Sequence, residues 1–249
     1  MGRGVPAGLP LRTGPVAGVV LAAGSSTRMG TPKALLDADG ATFLARLGRT
    51  LRRGGCDPVV VVAAAQAGPV AAEAEQAGAR LAVNPGGEGG QIGSLRAAIS
   101  HLGALDDPPA AFLFTPVDNP AVASETVRAV IRGWECSQAA IVAPSYQGKR
   151  GHPVLADMAI ANEFLDEGLA DGARTVVRRD PARVLEVPVP DPHIADDIDT
   201  PQRYADRFPG EGQAAREASA TAPDAPPTAP DAPPGAPQAP PGPRAPAAR

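Results

Sequence analysis

The stretch VAGVVLAAGSSTRMGTPKALL, residues 16–36, joins an uncharged apolar run to a loop that contains glycine and serine. The apolar run, residues 16–23, predicts a β-strand that is buried on both faces of a sheet. Gly24 and Gly30 follow it and allow the backbone to turn sharply and approach a ligand closely. Because such sheets bind ligands beyond the carboxyl ends of their strands, we expect a binding site in this loop.

Short apolar runs alternate with helical patterns along the following sequence, as in βαβ units. Further runs predict strands at residues 58–64, 80–84, 110–118, 139–146, 152–156 and 184–189. Helical patterns cover residues 42–54, 69–78, 94–103 and 124–135. Ser124 is a candidate N-cap for the last of these helices. The sequence therefore predicts an α/β fold with a mostly parallel central sheet flanked by helices.

Composition divides the chain into a leader, one domain and a tail. Residues 209–249 have almost no large apolar side chain, and from residue 210 onward they carry 11 of the 30 prolines. Such a segment cannot bury enough apolar surface to offset its lost conformational entropy, so we predict a disordered, partly polyproline tail. Its PxxP-type spacings would also suit SH3-like partners. Residues 1–15 are predicted to be a flexible leader and residues 16–208 a single domain.

Charge and apolar content exclude several classes of partner. The net charge is −4 and the chain has no long basic run, which argues against nucleic acid as a partner. The first residues lack the apolar core of a signal peptide, and the run at residues 16–23 is too short to span a bilayer. We therefore expect a cytoplasmic protein without a membrane partner. Cys56 and Cys136 lack metal-ligand spacing and are expected to be separate reduced thiols.

The loop after the first predicted strand combines groups that can bind a triphosphate. The amides and hydroxyls of Ser25 and Ser26 can donate to phosphate oxygens, while Arg28 and Lys33 add positive charge. The spacing matches neither the Walker loop nor the Gly-x-Gly-x-x-Gly dinucleotide fingerprint. The pattern predicts a triphosphate cradle, with an ordinary strand-to-helix turn as the alternative.

The segment LAAGSSTRMGTPKALL, residues 21–36, resembles the signature of the MobA-like NTP transferase family. Further segments match the family in the same order: GGQIGSLRAAI at 89–99, TPVDNP at 115–120, GKRGHPVL at 148–155 and ADDIDTP at 195–201. The resemblance covers residues 16–208 and implies a GT-A-type nucleotide-diphospho-sugar transferase fold, which is Rossmann-like. Within the family, the sequence is most similar to the molybdenum cofactor cytidylyltransferases.

The resemblance implies a nucleotide site in the first half of the domain. Its catalytic positions would be Arg28, Lys33 and Asp118. The nucleotide-binding positions lie at the ends of the first, third and fourth predicted strands, in the loop after the first strand, or in the base-reading turn and helix. They are Leu21, Ala22, Ala23, Gly24, Ser25, Ser26, Arg28, Met29, Gly30, Lys33, Asn84, Gly93, Ser94 and Asp118. In that turn, Gly93 would let the backbone close over the base. Helix capping is the alternative role for Ser94, and a turn is the alternative for Asp118.

The resemblance also implies a metal site and an acceptor site. Asp118 and Asp199 would hold Mg²⁺ through their carboxylate oxygens, the ligands that this ion prefers. Gly151, His152 and Pro153 would lie on the acceptor side of the cleft. A structural role is the alternative for His152, and a helix start at the neighbouring Thr-Pro pair is the alternative for Asp199.

The activity implied by the family is transfer of a nucleoside monophosphate, most simply CMP from CTP, to the phosphate of a molybdopterin-type cofactor. Pyrophosphate would be released, and a molybdoenzyme or its chaperone would receive the product. A phosphate monoester has a second pKa of about 6 and is mostly dianionic at pH 7, so no general base is required. This agrees with the lack of a convincing Ser/His/Asp triad in the sequence.

Several alternatives remain open at the level of sequence. GTP could replace CTP, because GGQIGSL lacks the usual Met of the cytidylyl branch and PVDNP is similar to the guanylyl branch. The acceptor could be another phosphorylated metabolite. A dinucleotide-dependent oxidoreductase or a non-catalytic nucleotide-binding protein is a different class. No acidic residue ends the second predicted strand to bind a ribose, which argues against the oxidoreductase.

Overall fold

The computed structural model describes residues 11–24, 31–65, 68–85 and 89–209. Residues 1–10 of the predicted leader and residues 210–249 of the predicted tail lie outside the described residues. Arg12 belongs to the predicted leader, yet its guanidinium donates to Asp157 at 2.8 Å and lies 5.6 Å from the ring centroid of Trp134. Contacts with the domain therefore begin before the predicted boundary at residue 16.

The described residues form a sheet of eight strands with helices on both faces. The strands are β1 (Val16–Leu21), β2 (Val59–Ala64), β3 (Arg80–Asn84), β4 (Ala111–Pro116), β5 (Ile141–Tyr146), β6 (Lys149–Arg150), β7 (Val154–Asp157) and β8 (Val184–Pro188). The helices are α1 (Phe43–Gly54), α2 (Gly68–Gln76), α3 (Gly90–Gly103), α4 (Ser124–Glu135), α5 (Ala161–Leu165), α6 (Ala173–Arg179) and α7 (Pro201–Arg207).

The strand order is β3-β2-β1-β4-β7-β5-β6, with β8 paired to β5. The first four strands pair in parallel, whereas β7 runs antiparallel to both of its neighbours, β4 and β5. β8 is parallel to β5, and the short β6 forms a hairpin with β5 that was not predicted. The predicted α/β class with a central sheet flanked by helices is confirmed. The strand direction therefore reverses at β7, the strand next to β4.

Each face of the sheet carries its own hydrophobic core. Val16 and Val20 of β1 belong to the core that includes α1, α2, α4 and α7. Ala17 and Val19 of the same strand belong to the core that includes α3, α5 and α6. β1 is therefore buried on both faces, which is the reason that its sequence is continuously apolar instead of alternating.

Local capping groups determine where α1 begins and ends. The Thr42 hydroxyl accepts from the Ala45 amide at 3.0 Å, and it donates to Glu73 at 2.6 Å. At the other end, Gly55 adopts a left-handed conformation with φ 108°, which glycine tolerates without steric cost. Phe43 and the apolar residues one and two turns later are fully buried, so α1 is held by packing on the sheet.

Two predicted helix caps are wrong. Ser94 lies inside α3, because Gly89 in a left-handed conformation starts this helix four residues earlier than predicted. The cap of α4 is Ala123 and not Ser124. The Asp191 carboxylate accepts from the Ala123 amide at 3.0 Å, so a group from a distant loop takes the place of a local cap.

Two further predictions concern membranes and thiols. Among the described residues, every helix is too short or too polar to serve as a membrane span. Cys56 and Cys136 are both free, as the sequence predicted, and burial raises the pKa of the Cys56 thiol to about 12.

We expect Asp191→Ala to destabilise the domain by about 3 kcal/mol, because the buried carboxylate accepts three hydrogen bonds that water cannot replace. Its donors are the Ala123 amide, the Thr126 hydroxyl at 2.7 Å and the His193 amide at 3.0 Å. Urea unfolding would measure the change. Asp180→Ala is the matched control, since Asp180 also precedes a proline and accepts from the amide two residues on, but is exposed. Equal losses in the two variants would contradict this account.

Candidate active site

One lysine joins two carboxylates from distant parts of the chain at the carboxyl end of the parallel strands. Lys33 Nζ donates to Asp118 Oδ2 at 3.1 Å and to Asp199 Oδ1 at 2.5 Å. The side chains of Lys33 and Asp118 are largely buried, with 13% and 19% of their surface exposed, whereas that of Asp199 is half exposed. The structure thus brings together three residues that the sequence assigned to nucleotide and metal binding.

The position of Lys33 follows from the residues that flank it. Lys33 opens a 3₁₀ turn, Lys33–Leu35, directly after Pro32. Ala34 and Leu36 are buried in the core beneath α1, so the backbone on either side cannot move away from the sheet. The lysine side chain points from this anchored turn towards the ends of β1 and β4.

Asp118 is held two residues beyond β4 by the sheet on one side and by a loop on the other. The Val117 amide donates to the Leu21 carbonyl at 3.1 Å, which continues the pairing of β4 with β1. The Asp118 carbonyl accepts from the Ile198 amide at 2.8 Å. This bond fixes the loop that carries Asp199, so both carboxylates are positioned by one backbone contact.

Burial and charge act in opposite directions on this cluster. Burial raises the pKa of Asp118, and the nearby Lys33 only partly offsets that effect. Burial also lowers the pKa of Lys33. The hydrogen bonds and charge interactions with Asp199 and Asp118 together outweigh burial, so the pKa of Lys33 is raised overall. The hydrogen bond from Lys33 lowers the pKa of the more exposed Asp199. Burial is therefore the main influence on the pKa of Asp118, whereas the hydrogen bond from Lys33 is the main influence on the pKa of Asp199.

Asp197 is a third carboxylate at this site, and sequence reasoning missed it. Burial raises its pKa, and the negative charge of Asp199 raises it further. Arg203 donates to its backbone carbonyl at 2.6 Å, and Asp197 lines the cavity beside the cluster. The segment ADDIDTP contained the signal, because Asp197 stands two positions before Asp199.

The donor set fits an ion that keeps water or phosphate oxygens among its ligands. Asp118 Oδ1 is buried and has no hydrogen-bond partner among the described residues. Within the same residues, no group of three or more His, Cys, Asp or Glu side chains forms a complete metal cage. Mg²⁺ is commonly held by one or two carboxylates together with substrate phosphates and water, so a complete cage is not required.

A cavity of about 920 Å³ opens beside the cluster. Phe114, His152 and Asp197 line it, together with residues of α3 and α6. His152 and Gly151 were predicted to lie on the acceptor side of the cleft, and the structure places both in this wall. Pro153 is buried directly beneath it. The cavity is large enough for a drug-sized organic ligand.

Gly151 has a steric role in the cavity wall. A Cβ atom at this position would lie 2.1 Å from the carbonyl oxygen of Ile194, so only glycine allows the two backbones to cross. The adjacent His152 amide donates to the same carbonyl at 2.6 Å. The crossing attaches the predicted acceptor segment to the loop that carries Asp197 and Asp199.

His152 is held in a mostly apolar setting. Its ring lies 6.2 Å from that of Phe114, tilted by 62°, and its Nδ1 atom is buried without a hydrogen-bond partner among the described residues. Burial lowers the pKa of His152, although Asp118 and the Phe114 backbone favour the protonated ring. A neutral imidazole at neutral pH is therefore expected.

The structure describes part of the predicted nucleotide pocket. Leu21 and Ala22 are buried in the sheet, Ala23 is half-buried and Gly24 is exposed. The buried Asn84 side chain donates to Ser94 Oγ at 3.4 Å, and Ser94 Oγ donates to the Gly90 carbonyl at 3.2 Å. The polar groups of Asn84 and Ser94 therefore face each other.

The other predicted nucleotide-binding residues lie at the start of α3 and in the segment after β1. Gly93 lies in the first turn of α3, where its amide donates to the Gly89 carbonyl at 3.3 Å. The predicted cradle residues Ser25, Ser26, Arg28, Met29 and Gly30 lie outside the described residues.

We expect the stability of the protein to fall as the pH decreases through the ordinary histidine value of 6.5, because the pKa of His152 is lower in the folded state. Below that pH the unfolded chain binds a proton that the folded protein excludes, and this favours unfolding. His152→Gln should weaken the pH dependence between about pH 7 and pH 5. Urea unfolding across that range measures it, with His193→Gln as the half-exposed control. Identical slopes for wild type and His152→Gln would contradict the expectation.

The chain is similar to proteins of a known family. Residues 18–184 match the MobA-like NTP transferase domain. Nicotine blue oxidoreductase of Paenarthrobacter nicotinovorans is 32% identical over 193 residues, which cover 74% of this chain and 92% of that protein. A probable molybdenum cofactor guanylyltransferase of Rhodopirellula baltica is 34% identical over 129 residues, or 51% of this chain and 60% of that protein.

The fold is also similar to a solved structure, Rv0371c from Mycobacterium tuberculosis H37Rv. The TM-score is 0.67 with 28% identity, and the match covers 80% of this chain and 100% of that chain. A second structure of Rv0371c, a complex with manganese, gives a TM-score of 0.63 with 26% identity over 79% of this chain and 99% of that one.

Proposed function

Because the chain belongs to the MobA-like NTP transferase family and is a nucleotidyltransferase, we propose that it transfers CMP from CTP to the phosphate of a molybdopterin-type cofactor. An oxygen of the acceptor phosphate would form a bond to the α-phosphorus of the nucleotide. The bond between that phosphorus and the oxygen bridging to the β-phosphate would break, and pyrophosphate would leave. The reaction is balanced without a redox partner.

The observation that supports this proposal most strongly is the bridge of Lys33 between Asp118 and Asp199. These three side chains contain one more negative than positive charge, and the neighbouring Asp197 increases the excess. A site of this kind attracts a divalent cation, and Lys33 supplies positive charge beside it for a polyphosphate. Charge neutralisation and positioning are the main catalytic contributions that nucleotidyl transfer requires.

We propose Asp118 and Asp199 as the residues that would hold Mg²⁺. The buried Oδ1 atom of Asp118, which has no hydrogen-bond partner among the described residues, supports this choice. The manganese complex of the similar Rv0371c agrees with a role for a divalent cation in the proposed reaction. When bound, the ion would neutralise charge on the α-phosphate and its neighbours. Asp118 would orient the ion from the sheet side and Asp199 from the solvent side, which agrees with their different exposure.

The acceptor is proposed to occupy the cavity of about 920 Å³. The rings of Phe114 and His152 would form a mostly apolar wall beside the acceptor. Because the imidazole is expected to be neutral, it would not attract the negative charge of the acceptor phosphate. The acceptor phosphate is already dianionic at pH 7, so the cavity needs to orient it and not to deprotonate it. No residue of the wall is required as a general base.

GTP is the second candidate nucleotide. The segment PVDNP and the guanylyltransferase relative favour it, whereas GHPVL and DIDTP favour the cytidylyl branch.

We expect pyrophosphate release with Mg²⁺ and a molybdopterin-type acceptor from CTP in preference to GTP, ATP and UTP. A coupled phosphate assay with each nucleotide, with and without acceptor, measures this. GTP-specific release would move the proposal to the guanylyl branch, and no release from any nucleotide would reject it.

An oxidoreductase activity is the competing class, because one relative carries that name. Ala64 and Ala65, at the carboxyl end of β2, provide no acidic group for the ribose of a dinucleotide. Oxidation of NADH or NADPH in the presence of a quinone-type dye, without pyrophosphate release from any nucleotide, would favour this class instead.

Lys33→Ala and Asp118→Ala should each lower turnover at least about 100-fold, because each removes a preorganised charge at the reacting phosphates. Pyrophosphate release under saturating substrates measures turnover, and circular dichroism checks that the variants fold. Asp196→Ala is the control, since Asp196 lies in the same loop as Asp199 but faces His193 at 3.3 Å. Turnover near the wild-type value in either active-site variant is incompatible with the proposed roles.

A further inference from the structure

Three arginines line the cavity beside the active site, and they differ in their partners. Arg150 pairs with Glu186 at 2.9 Å, and Arg178 pairs with Asp171 at 3.4 Å. Arg174 lines the same cavity, but no carboxylate or other hydrogen-bond acceptor among the described residues contacts its guanidinium. It is therefore the cavity arginine whose positive charge remains available to a ligand.

Arg174 lines the cavity that opens beside the catalytic cluster. It is close enough to His152 to contribute to the lowering of the pKa of that residue, while Asp118 acts on the same imidazole with the opposite sign. Arg174 and the carboxylate that we assign to the metal are thus both close enough to His152 to act on its ring. A ligand in the cavity that contacts His152 would be near both groups.

The backbone before Arg174 is fixed by local contacts. Gly172 has a positive φ of 57°, which favours glycine, and a Cβ atom there would lie 3.4 Å from Ile92 Cβ of α3. The Asp171 amide donates to the Thr175 hydroxyl at 3.0 Å, and Val176 is fully buried. Arg174 therefore extends from an anchored turn, with only its own side chain free to adjust.

We propose that Arg174 binds the phosphate of the acceptor and holds it in the cavity for attack on the nucleotide. This inference rests on the proposed transferase function. It adds a residue that determines which acceptors are used, since a substrate without a terminal phosphate or similar anion would leave Arg174 unpaired.

Electrostatics explain why such a residue is needed. A dianionic phosphate that approaches the nucleotide also approaches the carboxylates of Asp118 and Asp197, which repel it. A guanidinium donates two parallel hydrogen bonds to a phosphate, so it supplies both charge and orientation. Lysine in its place would keep the charge but lose the two-point contact.

The first test separates binding of the acceptor from binding of the nucleotide. Arg174→Ala should raise the KM for the acceptor about 10- to 100-fold and leave the KM for the nucleotide unchanged. Arg174→Lys should recover part of the loss. Arg178→Ala is the matched control, because Arg178 lies one turn further along α6, lines the same cavity and is already paired. An unchanged acceptor KM in Arg174→Ala, or an equal rise in Arg178→Ala, would overturn the proposal.

The second test does not depend on turnover or on the identity of the acceptor. Inorganic phosphate is titrated into the protein while the imidazole resonances are followed by NMR, which the presence of only three histidines makes practicable. Phosphate at Arg174 should shift the His152 resonance in wild type and Arg178→Ala but not in Arg174→Ala. A shift that persists in Arg174→Ala, or no shift in wild type, would overturn the inference. A positive result without pyrophosphate release from any nucleotide would reject the transferase proposal alone.

Discussion

The site depends on the placement of one buried ammonium group between two carboxylates that are far apart in the sequence. Lys33 and Asp199 are 166 positions apart, and their contact at 2.5 Å joins the 3₁₀ turn at Lys33 to the loop before α7. Burial of Asp118 without this lysine would leave a negative charge in a poorly solvated position, which is costly. One lysine balances only one of the two carboxylates, so the cluster keeps an excess of negative charge. The cluster is therefore stable enough to fold and still able to attract a divalent cation and polyphosphate.

The direction of the strands determines what lies on either side of this cluster. β4 is parallel to β1 but antiparallel to β7, so the pattern of the sheet changes at the strand that ends beside Asp118. Ligands of open α/β sheets bind beyond the carboxyl ends of the strands, at the point where the strand order reverses, and in this sheet the order reverses between β1 and β4. Lys33 and the proposed nucleotide site belong to the parallel half, and the cavity with His152 belongs to the mixed half. Asp118 thus lies at the border between the two proposed binding regions.

Much of this arrangement could be predicted from the sequence, because the decisive features are local. The continuous apolar runs predicted strands buried on both faces, and the motifs around Lys33, Asp118 and Asp199 identified residues that the fold brings together. The errors have tertiary causes. Asp191 caps α4 from a distant loop, which no local pattern at Ser124 could indicate. Asp197 lies close to a predicted residue, but its role depends on the bond between Ile198 and Asp118 that orients the loop.

Arg174 shows why charge on its own is a poor guide to function in a sequence. The sequence alone does not distinguish the three arginines that line the cavity, Arg150, Arg174 and Arg178. They become different only when their partners are known, because a paired arginine has its charge and its donors already satisfied. An arginine that folding leaves unpaired beside an active site has to be explained by a ligand or by solvent. The neighbouring carboxylates of Asp118 and Asp197 favour a ligand, since they would repel the anion that the proposed transferase reaction brings to this cavity, whereas Lys33 is already paired with Asp118 and Asp199.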